Sequence, residues 1–258
     1  MNLRSRLSLC ITLLCLLAAC TPPRVVLGRE EFRARPIAGQ PKIGAVFTGS
    51  VPMFGRQVPL PGGDWTVLTV QSRRDIDTGQ QSGSVALVQR DGPLLQGIVQ
   101  AVIADHRMVA ANELPPVCTS SDVLWNDIRQ AVPFGPKDCS AIYFERPDLW
   151  WVSYFSLPSQ VLQNLRESNM ALPRVVVALH LYEEGAGPVL TESVALNPDA
   201  RGIATNIYMA RGQSGWTAFT VATDPAKQQL LGDLKSLAPP LRAALRAQAD
   251  STAPFGPP

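Results

Sequence analysis

Five cysteines and two histidines are the residues of this 258-residue chain best suited to thiol, metal or acid–base chemistry, and their spacing narrows each option. Cys118 and Cys139 form no Cys-x-x-Cys, and no histidine lies near either in sequence, which argues against redox or metal roles. In an oxidising compartment such a pair reads as one structural disulfide, closing a loop of about 20 residues and worth on the order of 3 kcal/mol in the chain-entropy model. With only His106 and His180, a His-Glu-x-x-His zinc site is impossible. His180 and Glu183 are three apart, a spacing that on a strand sends them to opposite faces. Asp105 and His106 pair an acid with a base, but adjacent side chains diverge, so both histidines read as structural or solvated.

The remaining reactive side chains do not assemble into a motif. Gly212-Gln213-Ser214-Gly215 places its second glycine one residue too early for a nucleophile elbow, and no lysine follows a serine at Ser-x-x-Lys spacing. Asp75/Asp77 and Glu183/Glu184 sit in polar, turn-like segments and read as solvated, while dispersed carboxylates of the glycosidase kind leave no local signature. There is no phosphate-cradling glycine loop, so the expectation is no metal and no organic cofactor. Tyr143, Phe144, Trp150, Trp151, Tyr154 and Phe155 crowd a short stretch. Burial in a central strand is the ordinary fate of such rings; exposed, Trp150 and Tyr154 would make a stacking platform for a sugar or peptide.

The first 20 residues have their own logic. Arg4 and Arg6 precede a largely apolar run over 7–17, too short to span a bilayer, and Leu17-Ala18-Ala19-Cys20 closes it with small residues and a thiol. This order resembles bacterial lipoprotein precursors, whose cysteine takes a diacylglycerol before the signal is removed. The resemblance implies a signal peptide over 1–19 and a lipidated Cys20. Thr21 stands where an aspartate would hold such proteins at the inner membrane, so it also implies an outer-membrane address facing the periplasm. The arrangement Cys118, Asp138-Cys139, Gly215-Trp216 and Asp224-Pro225 resembles uncharacterised proteobacterial lipoproteins and implies no activity.

Two of the 23 Lys+Arg lie in residues 1–20, leaving 21 against 21 Asp+Glu. A neutral domain without basic runs excludes nucleic acid as an expected partner and gives no polybasic membrane contact beyond the lipid. Residues 20–41 read as a tether, because Pro22, Pro23, Pro36 and Pro41 break helices and the charged run 29–35 has little to bury. Residues 42–250 are long enough to bury one core, and the proline-rich 251–258 reads as a disordered tail.

Within 42–250 the pattern is mostly strands: 65–70, 84–90, 94–104, 141–146, 149–155, 174–182, 188–195 and 216–223. Asp91-Gly92 supplies hairpin turn chemistry. Helical spacing is read around Leu124, Ile128 and Val132, and again at Val161, Leu162 and Leu165 behind Pro158. A helix after Asn197-Pro198 would carry Ile203 and Ile207, and a longer one starts at Asp224-Pro225. Pro239-Pro240 is expected to break that last helix before Leu241 resumes it in a second segment. These runs predict an α+β domain, mainly antiparallel sheet with helices packed on one face and one disulfide.

Two function classes follow. The first is a lipid-anchored envelope protein with a non-catalytic binding or interaction domain for an envelope protein or the cell wall, which the missing catalytic motifs and the tether favour. The second is an envelope hydrolase using dispersed carboxylates or His106/His180. A histidine gathered with an acid and a serine would favour the hydrolase.

Overall fold

The computed structural model describes residues 40–74, 77–105, 113–130, 137–145, 159–203, 205 and 215–251. Its strands are β1 (Val46–Met53), β2 (Arg56–Arg74), β3 (Gln81–Asp91), β4 (Leu94–Ala104), β5 (Trp125–Gln130), β6 (Lys137–Glu145), β7 (Val176–Glu184) and β8 (Val189–Leu196). Its helices are α1 (Pro116–Thr119), α2 (Ser159–Glu167), α3 (Ala218–Thr223) and α4 (Pro225–Ala249), with a 3-10 turn at Asp199–Arg201. All eight strands join one antiparallel sheet in the order β1-β2-β3-β4-β8-β7-β6-β5. Two four-strand meanders therefore lie side by side, β4 against β8, from Gly97↔Leu196 to Ala104↔Val189. The expected α+β class with a mainly antiparallel sheet is present, and Cys118 and Cys139 are bridged with Cα atoms 6.0 Å apart.

Strand alternation sorts side chains onto two faces. Val85, Leu87, Val99, Ala101, Leu179, Leu181 and Val194 meet Leu230, Leu234, Leu241 and Leu245 of α4. Burying each such leucine is worth roughly 1.5–3 kcal/mol, so the stripe alone accounts for the docking of the helix. The intervening residues, Ala86, Val88, Ile98, Val176, Ala178 and Ala195, turn to the reverse face and pack with Val161 and Leu165 of α2. The C-terminal helices thus take one face and α2 covers part of the other, so the helices are not confined to the one face expected.

Local chemistry sets the ends of α4. Asp224 caps it by accepting from the amides of Ala226 and Lys227, and Pro225 occupies a first-turn position where no donor is lost. At its other end the Gly187 amide donates to Ala249 O, and Arg56 donates to Ser251 through both terminal nitrogens. Glycine is required at 187 because a Cβ would lie 2.8 Å from the Ala249 carbonyl oxygen.

Four expectations about single elements are corrected. The segment of Leu124 and Ile128 is not helical but holds edge strand β5, since alternation of Trp125, Asp127 and Arg129 with Asn126 and Ile128 suits a strand paired on one side to β6. The strand expected over 216–223 is helix α3, nucleated by a capping box in which Thr217 and Thr220 bond reciprocally. Among the described residues a 3-10 turn, not a helix, follows Pro198, ended by Gly202 at φ 71°. Pro239 and Pro240 do not divide α4. Both are exposed, while Leu234, Ala238, Leu241 and Leu245 keep the buried stripe unbroken beside them. The strand anticipated over 149–155, like Val132 and Ile207, lies outside the described residues.

Candidate functional site

Two groups of polar side chains lie on opposite faces of the sheet. On the reverse face, register places His180 of β7 beside Ser193 of β8, and β6 contributes Glu145. The Ser193 hydroxyl is 2.7 Å from His180 Nδ1, and His180 Nε2 is 3.0 Å from Glu145 Oε1. His180 and Glu145 are buried, whereas Ser193 is half-buried. An ionised carboxylate can only accept, so with Glu145 charged the Nε2 position carries the proton and Nδ1 is left to accept from Ser193. Tyr143 holds the imidazole edge-on at 5.8 Å between centroids and donates its own hydroxyl proton to Val117 O in α1. The disulfide ties α1 to β6, so the Cys118–Cys139 bridge steadies the cover over this side of the sheet.

On the α4 face, a cleft of about 240 Å³ opens between edge strand β5 and the helix. Trp125, Asp127 and Arg129 of β5 share that face with Asp138 of β6, and α4 contributes Lys235, Arg242 and Arg246. Arg242 is the organising residue: it ion-pairs with Asp138, contacts Asp127 Oδ2 at 2.7 Å and lies 3.5 Å from Glu183 Oε1. Arg246 reaches Glu183 Oε2 at 2.8 Å and Asp138 Oδ2 at 3.2 Å. Lys235 Nζ sits 5.9 Å over the Trp125 ring, and Arg129 pairs with Asp127 at 3.2 Å from an exposed position.

Glu183 sits at the floor of this network. Burial, then the like charge of Asp138 and a hydrogen bond to it, push its carboxyl up to about 8, against the pull of Arg246 and Arg242. Its carboxyl thus holds its proton well above the usual carboxylate range. Around the cleft Arg129, Lys235, Arg242 and Arg246 outnumber Asp127 and Asp138, an excess of cations suited to an anionic group.

The Glu183/Glu184 pair is not solvated as expected: both carboxylates are buried at the end of β7, and Tyr182 donates to Glu184 Oε2 at 3.2 Å. Asp77 is exposed, as a turn carboxylate should be. His180 and Glu183 do take opposite faces, His180 toward Ser193 and Glu183 toward α4. Cys20, His106, Trp150 and Tyr154 lie outside the described residues. Reasoning from sequence missed Ser193, Glu145, Asp127, Asp138, Arg242 and Arg246. One signal was available: Arg242 falls on the leucine stripe of α4, where a cation needs a partner in the sheet.

Among the described residues no group of three His, Cys, Asp or Glu is placed to hold a metal ion, and no helix is long and apolar enough to cross a membrane. No protein-family model, curated protein or solved structure matches the chain.

Proposed function

We propose that this chain is a lipid-anchored envelope protein facing the periplasm, whose domain binds a carboxylate-bearing partner in the cleft between β5 and α4. The observation that carries the binding part is the unequal charge around Trp125: Arg129, Lys235, Arg242 and Arg246 against Asp127 and Asp138. Arg242 and Arg246 are held in place by Asp127, Asp138 and Glu183 as fixed positive charge, and exposed Arg129 together with Lys235 over Trp125 supplies the cations an incoming acid can reach. Trp125 adds a flat surface, and tryptophan and arginine are the side chains that most often dominate interfaces. The Leu17-Ala18-Ala19-Cys20 order supports the anchor, and the Cys118–Cys139 disulfide suits an oxidising compartment. An acidic segment of an envelope protein, or the stem-peptide carboxylates of the cell wall, has the required chemistry.

The test uses the full chain in detergent. Titration calorimetry should detect hexaglutamate and not hexalysine, and Arg129→Ala with Lys235→Ala should weaken hexaglutamate by roughly tenfold each, the size of a 1.4 kcal/mol contact. Unchanged affinity in the double variant would refute the cleft. Mass analysis of the membrane fraction addresses the anchor separately, and an unmodified Cys20 would refute that part.

A further inference from the structure

We propose that Ser193 is a nucleophile for acyl transfer, activated by His180 and positioned through Glu145, on the sheet face opposite the charged cleft. The geometry has the three parts such chemistry needs: a hydroxyl 2.7 Å from an imidazole nitrogen, and a carboxylate 3.0 Å from the other nitrogen. The usual assignment of ring nitrogens is reversed, with Nδ1 toward the hydroxyl and Nε2 toward the acid. Proton transfer requires only that one nitrogen accept while the other is held by the carboxylate, and this arrangement provides both.

Access and stabilisation come from the neighbouring strand. Gln100 of β4 is the register partner of Ser193, which places their Cβ atoms about 5 Å apart. Gln100 lines an open groove of about 210 Å³ with Gln71, Arg73, Ser82, Ser84 and Val102 on the same reverse face. The backbone amides of β8 are engaged in the sheet ladder, so the Gln100 side-chain amide is the available donor for a developing oxyanion. A groove of hydroxyls and amides with the guanidinium of Arg73 selects an ester whose alcohol portion is itself polar or anionic.

The step balances without a further reagent. Ser193 Oγ bonds to the acyl carbon as its proton passes to His180 Nδ1, and the carbonyl electron pair moves to oxygen beside Gln100. Collapse of this intermediate breaks the bond to the alcohol oxygen, which takes the proton back from His180. Water then attacks the acyl-serine with His180 again accepting the proton, and the acid leaves as the Ser193 hydroxyl is restored.

An activated fluorophosphonate probe, which forms a stable bond to such serines, tests this on the full chain in detergent. Intact mass should show one adduct, and tandem mass spectrometry of the wild type should place it on Ser193 whether or not a variant folds. Ser193→Ala should abolish labelling, and His180→Gln should slow it by about 10²–10⁴, the usual weight of a general base. Glu145→Gln, at a positioning residue, should shift the pH profile of labelling as well as its rate. No adduct on the folded wild type, or an adduct that maps to another serine, overturns the proposal. Neither result bears on hexaglutamate binding at the cleft.

Discussion

Glu192 shows how much a single buried group can weigh. It alternates with Leu190 and Val194 on the α4 side of β8, is wholly buried, and neither carboxyl oxygen finds a hydrogen-bond partner among the described residues. Burial pushes its carboxyl well above the usual range, so it resides in the core as the neutral acid. An unsatisfied buried polar group costs about 1–3 kcal/mol, and replacing it with an apolar side chain of similar length removes that cost. Glu192→Met should therefore stabilise the fold by about 1–3 kcal/mol at neutral pH, read as a higher urea midpoint with unchanged slope. A lower midpoint would mean that the carboxyl makes a favourable contact in the native state. The alternation Leu190-Thr191-Glu192-Ser193-Val194 already sets Glu192 on an apolar face, so this residue was legible before any coordinates. Ser193 was not, because its partners His180 and Glu145 come from strands whose pairing no local pattern announces.

At the scale of elements, turn chemistry and strand faces are linked through Phe54 and Gly83. Phe54 (φ 48°) and Gly55 (φ 76°) both take positive φ to make the two-residue β1–β2 turn, a conformation bulky residues avoid. The Phe54 ring is buried over Gly83 of β3, where a Cβ would collide with it, so packing offsets the backbone cost. Gly83→Ala should cost about 1–3 kcal/mol by overpacking, and thermal unfolding would show it as a lowered Tm. A neutral result would mean that the ring moves freely, removing the reason for the strained turn. Strands with clean turn signals, such as β3 and β4 around Asp91-Gly92, were readable from sequence, as were the disulfide and the start of α4. Two of the failures are local, since the Thr217/Thr220 capping box and Gly202 set α3 and the 3-10 turn, and in the other two tertiary packing overrode local spacing. Six residues of β5 carry both periodicities, and only contact with β6 decides between them. Around Pro239-Pro240 the buried leucines outweigh two lost backbone donors.

For the molecule as a whole, the buried acids set the pH at which the fold is strongest and tie that pH to the cleft. Glu183 stands at about 8 in the folded protein against an ordinary 4.5, and Glu192 is raised as well. Between these values the native state holds protons that the unfolded chain releases, so stability falls as pH rises. The contribution of Glu183 is complete below about 4.5 and is lost as pH passes 8. Asp224 acts in the opposite sense, since its cap bonds to Lys227 and Ala226 lower its carboxyl and favour the fold above 3.8. Urea midpoints should therefore be highest at mildly acidic pH and decline toward pH 9, with Glu183→Gln removing much of the decline. The same titration adds a negative charge beneath Arg242 and Arg246, so hexaglutamate affinity should weaken as pH passes 8 in the wild type and hold steady in Glu183→Gln. Screening is modest at this depth, because Glu183 is buried and within 3.5 Å of both arginines. Midpoints that stay level or rise from pH 5 to 9 would mean that Glu183 is already ionised at neutral pH. The positive excess around Trp125 would then be smaller by one charge, and the case for an acidic partner weaker by the same amount.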